Sequence, residues 1–290
     1  MRHPLPYGEG KYPSLLHKGE AAPKAWTRGL AKDWLLKKIC FGGAMDSRKG
    51  VCDKIAVHGF SLEPGKISLP IHEPAREILL RHVTAVILAG GNSTRMKSNK
   101  AFLPFSGELF IERIHRQLSA IFQHVILVTN TPELYHFLAC RTVSDIYPGM
   151  GSLAGIHAGL INSDTPYIFA AACDMPHLDE AVIRLLVTGI NGQDAVIPES
   201  GGGLEPLHAV YGKGAIPVIE DALSRGRKKI VECCRGMKTT IVPREEVGRI
   251  DPGFISFRNI NTPEDYFRFR EETNGDRREE TLPRPETMLR

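Results

Sequence analysis

Val83-Thr84-Ala85-Val86-Ile87-Leu88-Ala89-Gly90-Gly91 is the stretch that decides the fold. Residues 83–89 form an apolar run without polar alternation, the pattern of a strand buried on both faces of a parallel sheet, and the run stops at paired glycines. Residues 108–122 follow with Phe110, Ile111, Ile114, Leu118, Ile121 and Phe122 at helical spacing, which completes one βα unit. The alternation continues with a strand over 124–129, a short helix over 132–139, a strand over 141–145, an Ala- and Gly-rich helix over 152–162 and a fourth apolar strand over 167–173. A helix over 179–190, strands over 195–198 and 207–211, helices near 214–235, a strand over 254–260 and a helix over 263–272 complete the series. Strand, helix and strand in this order predict an α/β fold, a doubly wound sheet with right-handed crossovers and flanking helices.

The whole chain has 290 residues, 42% hydrophobic and 24% charged, ordinary values for one or two soluble globular domains. No window holds the roughly 18 uninterrupted apolar residues of a membrane-spanning helix, and Arg2, His3 and Lys11 lead into no apolar signal core. The expectation is a cytoplasmic protein without membrane association. Cys40, Cys52, Cys140, Cys173, Cys233 and Cys234 are adjacent or far apart and never in C-x-x-C spacing, which predicts reduced thiols and no zinc site. The net charge of +4 belongs to the front of the chain, because residues 1–82 hold 14 Lys and Arg against 8 Asp and Glu, leaving 23 against 25. That front carries no nucleic-acid-binding motif, so nucleic acid is not an expected partner.

Three regions follow. Residues 1–80, with scattered Pro and Gly and no sustained periodicity, read as a poorly ordered N-terminal extension. Within it only residues 25–39, with Trp26, Leu30, Trp34, Leu35 and Ile39, have amphipathic helical spacing, and Met45 is an internal start that would leave the first 44 residues untranslated. Residues 81–272 form the α/β domain, and residues 273–290, charged and Pro-containing, a flexible tail.

In a doubly wound sheet ligands bind outside the carboxyl ends of the strands. The first such junction runs from Leu88 to Lys100. Gly90 and Gly91 let the backbone approach a ligand and aim its N–H groups at phosphate, and Arg95 and Lys100 add positive charge. Gly-Gly alone would read as an ordinary turn; the cations beside it favour an anion site. Neither G-x-x-x-x-G-K-[ST] nor G-x-G-x-x-G is present, which removes a P-loop ATPase and a simple NAD enzyme. The fourth strand ends in Cys173-Asp174-Met175-Pro176, where a carboxylate is placed to hold Mg²⁺ against a triphosphate, although a lone Asp there would read as a helix cap. Asp145 ends the third strand and precedes Tyr147-Pro148-Gly149-Met150-Gly151 and the small-residue helix, whose small side chains are expected to admit a bulky planar or phosphorylated ligand.

The phrases Leu88-Ala89-Gly90-Gly91, Ser93-Thr94-Arg95-Met96, Lys100, Ser152-Leu153-Ala154-Gly155, Cys173-Asp174-Met175-Pro176 and Asn259-Ile260-Asn261-Thr262-Pro263-Glu264 occur in the order seen in molybdenum cofactor guanylyltransferases. The chain resembles that family over about residues 83–270, and the phrases in register are more specific than any one of them. The resemblance implies a Rossmann-like, mostly parallel sheet and transfer of GMP from GTP to the terminal phosphate of molybdopterin, with or without its molybdenum, releasing pyrophosphate. It implies that Leu88, Ala89, Gly90 and Gly91 line the guanine and phosphate site, and that Lys100 binds phosphate. It further implies that Asp145 contacts the nucleotide, that Asp174 ligates Mg²⁺ and that Asn261 lies near the active site. Relatives that use CTP read Leu-Ala-Ala-Gly at the first strand, so Gly90 points to GTP. Cofactor-carrier proteins or apo-molybdoenzymes are partners consistent with the same reading. Two positions depart from the family's text, Lys97 for its Gly and Asn99 for the Asp before the lysine; the reaction is expected to survive a more cationic loop, with nucleotide affinity or metal requirement altered. Val128 and Asn130 both lie near the family's asparagine at the end of the second strand.

The attacking group in such a transfer is already a phosphate anion, so no Ser, Cys or His nucleophile is needed, and Arg95, Lys100 and Asp174 are the expected catalytic residues. Cys233-Cys234 reads as a helical pair split between core and surface, and His208 as a strand residue. His157 stays open between structure and ligand, as do Arg227 to Lys229 between a phosphate contact and a solvated helix start. Two other functions fit the same residues. One is a cytidylyl- or sugar-phosphate nucleotidyltransferase of the same fold; the other is a non-catalytic nucleotide-binding adaptor.

Overall fold

The computed structural model describes residue 77, residues 79–90 and residues 99–273. The readings of residues 1–76, including the amphipathic stretch and Met45, of the loop with Gly91, Arg95 and Lys97, and of the tail beyond Thr273 fall outside the described residues.

One eight-stranded sheet organises the domain. Its strands are β1 (Val83–Leu88), β4 (Val125–Val128), β5 (Arg141–Val143), β6 (Tyr167–Ala172), β7 (Ala195–Ser200), β8 (Gly203–Leu204), β9 (His208–Gly212) and β10 (Thr239–Val242). They lie in the order β10-β7-β9-β6-β1-β4-β5, with β8 on β7. β1 is parallel to both β4 and β6, with Leu88 level with Val128 and with Ala172. The sheet is mostly parallel, as expected, with β9 antiparallel to β6 and β7. The link from Ser200 to His208 is too short for a parallel crossover, which takes a dozen or more residues, so β9 returns antiparallel.

Helices cover both faces because β1 points alternate residues to each. Ala85 and Ile87 meet Ile111, Ile114 and Leu118 of α1 (Phe110–Ile121) and Val182, Ile183 and Leu186 of α3 (Glu180–Thr188). Val86 and Leu88 meet Leu153, Ile156 and Leu160 of α2 (Ser152–Asn162) and Ile219 and Leu223 of α4 (Ile216–Ser224). A third cluster joins the hairpin of β2 (Pro104–Phe105) and β3 (Glu108–Leu109) to the C-terminal helix α7 (Pro263–Thr273) through Leu103, Phe105, Phe110, Ile260, Tyr266 and Phe269.

Several local expectations give way. The segment 254–260 is not a strand: Phe254 sits at φ +49, and the Asp251 carboxylate accepts N–H bonds from Ile255 and Ser256, which winds the chain into a 3₁₀ turn over Ile255–Phe257. The helix expected over 132–139 is a single 3₁₀ turn, Pro132–Tyr135. The helices expected near 214–235 are present as α4 and α5 (Ile230–Cys234), with Gly226 at φ +73 in the break between them. Cys233 and Cys234 are both buried rather than split, because α5 lies against the core with both thiols covered. β10 and α6 (Arg244–Ile250) lie in a stretch where no element was expected.

Candidate active site

β1 lies between β4 and β6 at its carboxyl end, and its ladders run on past the strands, Ala89 N–H donating to Val128 O of β4 (2.9 Å) and Cys173 N–H, just after β6, donating to Leu88 O (3.2 Å). Leu88 and Ala89 are buried, whereas Gly90 is exposed, and a methyl built on Gly90 would meet no atom of the described residues within 4 Å, its chain neighbours aside. Among the described residues, space is therefore left beside the carboxyl end of β1.

Lys100 enters this space from a 3₁₀ turn, Lys100–Phe102, whose Ala101 is fully buried and whose cap is Asn99, accepting the Ala101 N–H at 3.1 Å. The Lys100 ammonium donates to Asp174 Oδ2 (3.1 Å) and to Asn261 Oδ1 (2.5 Å). Both ion-pair side chains are largely covered, 15% and 21% exposed, so the attraction is screened less than on the surface. Asp174 sits in a tight turn closed by Met175 N–H on Ala172 O, with Met175 buried. Asn261 is brought there by Ile260, which is buried in the third cluster and donates its N–H to Asp174 O at 2.9 Å. The start of α7 is then fixed reciprocally, since Asp265 accepts the N–H groups of Asn261 and Thr262 while its own N–H bonds Thr262 Oγ1. Beside them the Cys173 thiol is pushed up to about 12 by burial and by the neighbouring Asp174, so it stays protonated.

Asp145 lies two strands away from β1, past the end of β5. It forms a reciprocal pair with Asn130, whose Nδ2 donates to Asp145 Oδ2 (2.9 Å) and whose Oδ1 accepts the Asp145 N–H (3.0 Å). Of the two positions near the end of the second strand, Val128 is a buried strand residue and Asn130 is the one that meets Asp145. Asn130 was legible only as the polar residue at the end of an apolar strand. Tyr135, hydrogen-bonded to Asn99, had no signal of its own.

The small residues of α2 need a different account from the one expected. A methyl on Gly155 would lie 2.9 Å from Leu88 Cδ2, and one on Gly159 would lie 2.8 Å from Val86 Cγ1. Glycine at these positions seats the helix against β1; it does not make room for a ligand. His157 is buried, 3.1 Å from Glu220 through Nε2 and edge-on to Tyr147. His208 is fully buried between the rings of Phe169 and Phe257 on β9. Arg227, Lys228 and Lys229 are exposed, and Lys228 donates to Gly149 O at 2.8 Å.

The donor set suits a hard cation shared with substrate. Among the described residues no group of three or more His, Cys, Asp or Glu could hold a metal alone. Mg²⁺ characteristically takes one or two carboxylates and completes its shell with water and substrate phosphate, and Asp174 supplies one such carboxylate. No described helix is long and apolar enough to cross a membrane.

A doubly wound sheet with an open glycine edge on its first strand and a lysine, a carboxylate and an amide converging at its carboxyl ends defines a nucleotidyltransferase. A family model described as a MobA-like NTP transferase domain matches residues 85–240, and the chain belongs to that family. The molybdenum cofactor guanylyltransferase of Desulfosudis oleivorans is 38% identical over 185 residues, covering 63% of this chain and 92% of its own. That of Syntrophotalea carbinolica is 34% identical over 194 residues, 66% of this chain and 92% of its own. The crystal structure of molybdopterin-guanine dinucleotide biosynthesis protein A from Archaeoglobus fulgidus superposes with a TM-score of 0.60 at 30% identity, covering 67% of this chain and all of that one.

Proposed function

We propose that this chain transfers GMP from GTP to the terminal phosphate of molybdopterin, forming the guanine dinucleotide of the cofactor and releasing pyrophosphate. The observation that carries it is the convergence of Lys100, Asp174 and Asn261 beside the open edge at Gly90. The acceptor's phosphate oxygen attacks the α-phosphorus; that P–O bond forms as the bond to the β-phosphate oxygen breaks, and pyrophosphate leaves with the electron pair. The attacker is already an anion, so the side chains have to align and to neutralise charge. In this reading Leu88, Ala89, Gly90 and Gly91 line the guanine and phosphate site and Asp145, set by Asn130, contacts the nucleotide. Lys100, with Arg95, takes up charge gathering on the leaving pyrophosphate, while Asn261 holds the Lys100 ammonium toward it. Asp174 would hold a divalent metal, Mg²⁺ in this proposal, which when bound supplies Lewis-acid polarisation of the phosphates. We place the activity in residues 81–272, in the cytoplasm, with GTP and molybdopterin as substrates and cofactor carriers or apo-molybdoenzymes as docking partners.

Pyrophosphate release from GTP, CTP, ATP and UTP, each with Mg²⁺ and molybdopterin, tests the reading. Release from GTP alone is expected. Asp174→Ala should lower it a hundredfold or more, the effect of losing about 2.7–4 kcal/mol of transition-state stabilisation, while the fold is retained. Release from CTP would overturn the role of Gly90, and wild-type turnover in Asp174→Ala would overturn the metal assignment.

A further inference from the structure

Lys100 stands on a three-residue turn, and short 3₁₀ segments have poor hydrogen-bond geometry and little hold on their own conformation. Its restraint comes from another part of the chain. Tyr135, on the connection between β4 and β5 and only 1% exposed, reaches both flanks of the turn. Its hydroxyl accepts from Asn99 Nδ2 at 3.0 Å, and its ring stacks on Phe102, centroids 5.2 Å apart at 24°. Phe137 packs on Phe102 as well, at 6.2 Å. The orientation of Asn99 is defined, since its Oδ1 is taken by the Ala101 N–H.

We infer that Tyr135 is a positioning residue for Lys100: by holding Asn99 through its hydroxyl and Phe102 through its ring, it sets where the ammonium stands between Asp174 and Asn261. The inference rests on the guanylyl-transfer reading for what Lys100 binds. The two halves of the clamp are separable. The buried ring contributes to the core, whereas Asn99 is exposed and can turn to water when the hydroxyl is removed. Loss of the hydroxyl should therefore cost function more than folding.

The test is GTP binding, measured by displacement of a fluorescent GTP analogue from the full chain. Tyr135→Phe is compared with wild type, and the same change is made in a Lys100→Ala background, with thermal midpoints recorded for all four proteins. Tyr135→Phe is expected to weaken GTP binding about fivefold with a near-wild-type midpoint, in line with the loss of one hydrogen bond. In the Lys100→Ala background it should change GTP binding no further, because a residue acting through Lys100 has nothing left to position. Equal losses in both backgrounds, or none in either, would overturn the inference while leaving guanylyl transfer standing. Failure of the wild-type chain to bind GTP would overturn both.

Discussion

Gly159→Ala sets two opposing effects against each other at one site, and the structure decides between them. In a helix interior alanine is favoured over glycine by about 0.8–1 kcal/mol, so α2 taken alone would gain. At this position, however, the added methyl would lie 2.8 and 2.9 Å from the two γ-carbons of Val86 and 3.3 Å from Ile168 Cδ1. Val86 and Ile168 are both fully buried on adjacent central strands. Val86 is β-branched and stiff at χ1, and its strand is hydrogen-bonded on both sides, so it cannot swing away cheaply. Lifting the helix is also opposed, because the next contact along it, Gly155 over Leu88, is equally close. Overpacking of a well-filled core costs about 1–3 kcal/mol, and two sub-contact distances at once place this case in the upper half of that span. The net expectation is destabilisation by about 1–2 kcal/mol, read as a lower urea midpoint at unchanged slope. Combining the change with Val86→Ala, which removes the obstructing methyls, should recover part of the loss relative to additivity. A urea midpoint raised by Gly159→Ala alone would refute the seating of α2 on β1.

Gly90→Ala should behave in the opposite way. The new methyl meets no atom of the described residues within 4 Å, so the thermal midpoint should hold while GTP affinity falls; unaltered GTP affinity would remove Gly90 from the nucleotide site. His208 gives stability a pH dependence: burial between two phenyl rings pushes its pKa down to about 3 from 6.5. The unfolded chain then takes up a proton near pH 6.5 that the folded chain refuses, so this group costs nothing at higher pH and lowers stability as pH falls from about 6.5 toward 3. Near pH 4.5 the penalty is about 2–3 kcal/mol, and His208→Leu should flatten the dependence of the urea midpoint over that window. An unchanged slope in that variant would show that other groups carry it.

The main strands and helices were legible because each is written locally. An apolar run such as Val83 to Ala89 can be satisfied only inside a sheet, and α1 shows its buried face at helical spacing. The Lys100, Asp174 and Asn261 positions were also legible, as residues of a resemblance, but nothing local says that they touch. Their meeting spans 74 and 161 residues and depends on the strand order and on Ile260 being drawn into the third cluster. The sequence places Val128 and Asn130 equally near the end of the second strand; only the tertiary structure puts Asn130 against Asp145, 15 residues on. The strand expected over 254–260 failed for the same reason, since nothing local shows that the Asp251 carboxylate takes the N–H groups of Ile255 and Ser256 and bends the chain into a turn. Composition likewise made the small residues of α2 look like space for a ligand. Tertiary packing shows them filled by Val86 and Leu88, because a missing side chain reads identically in sequence whether a substrate or a neighbouring strand occupies its place.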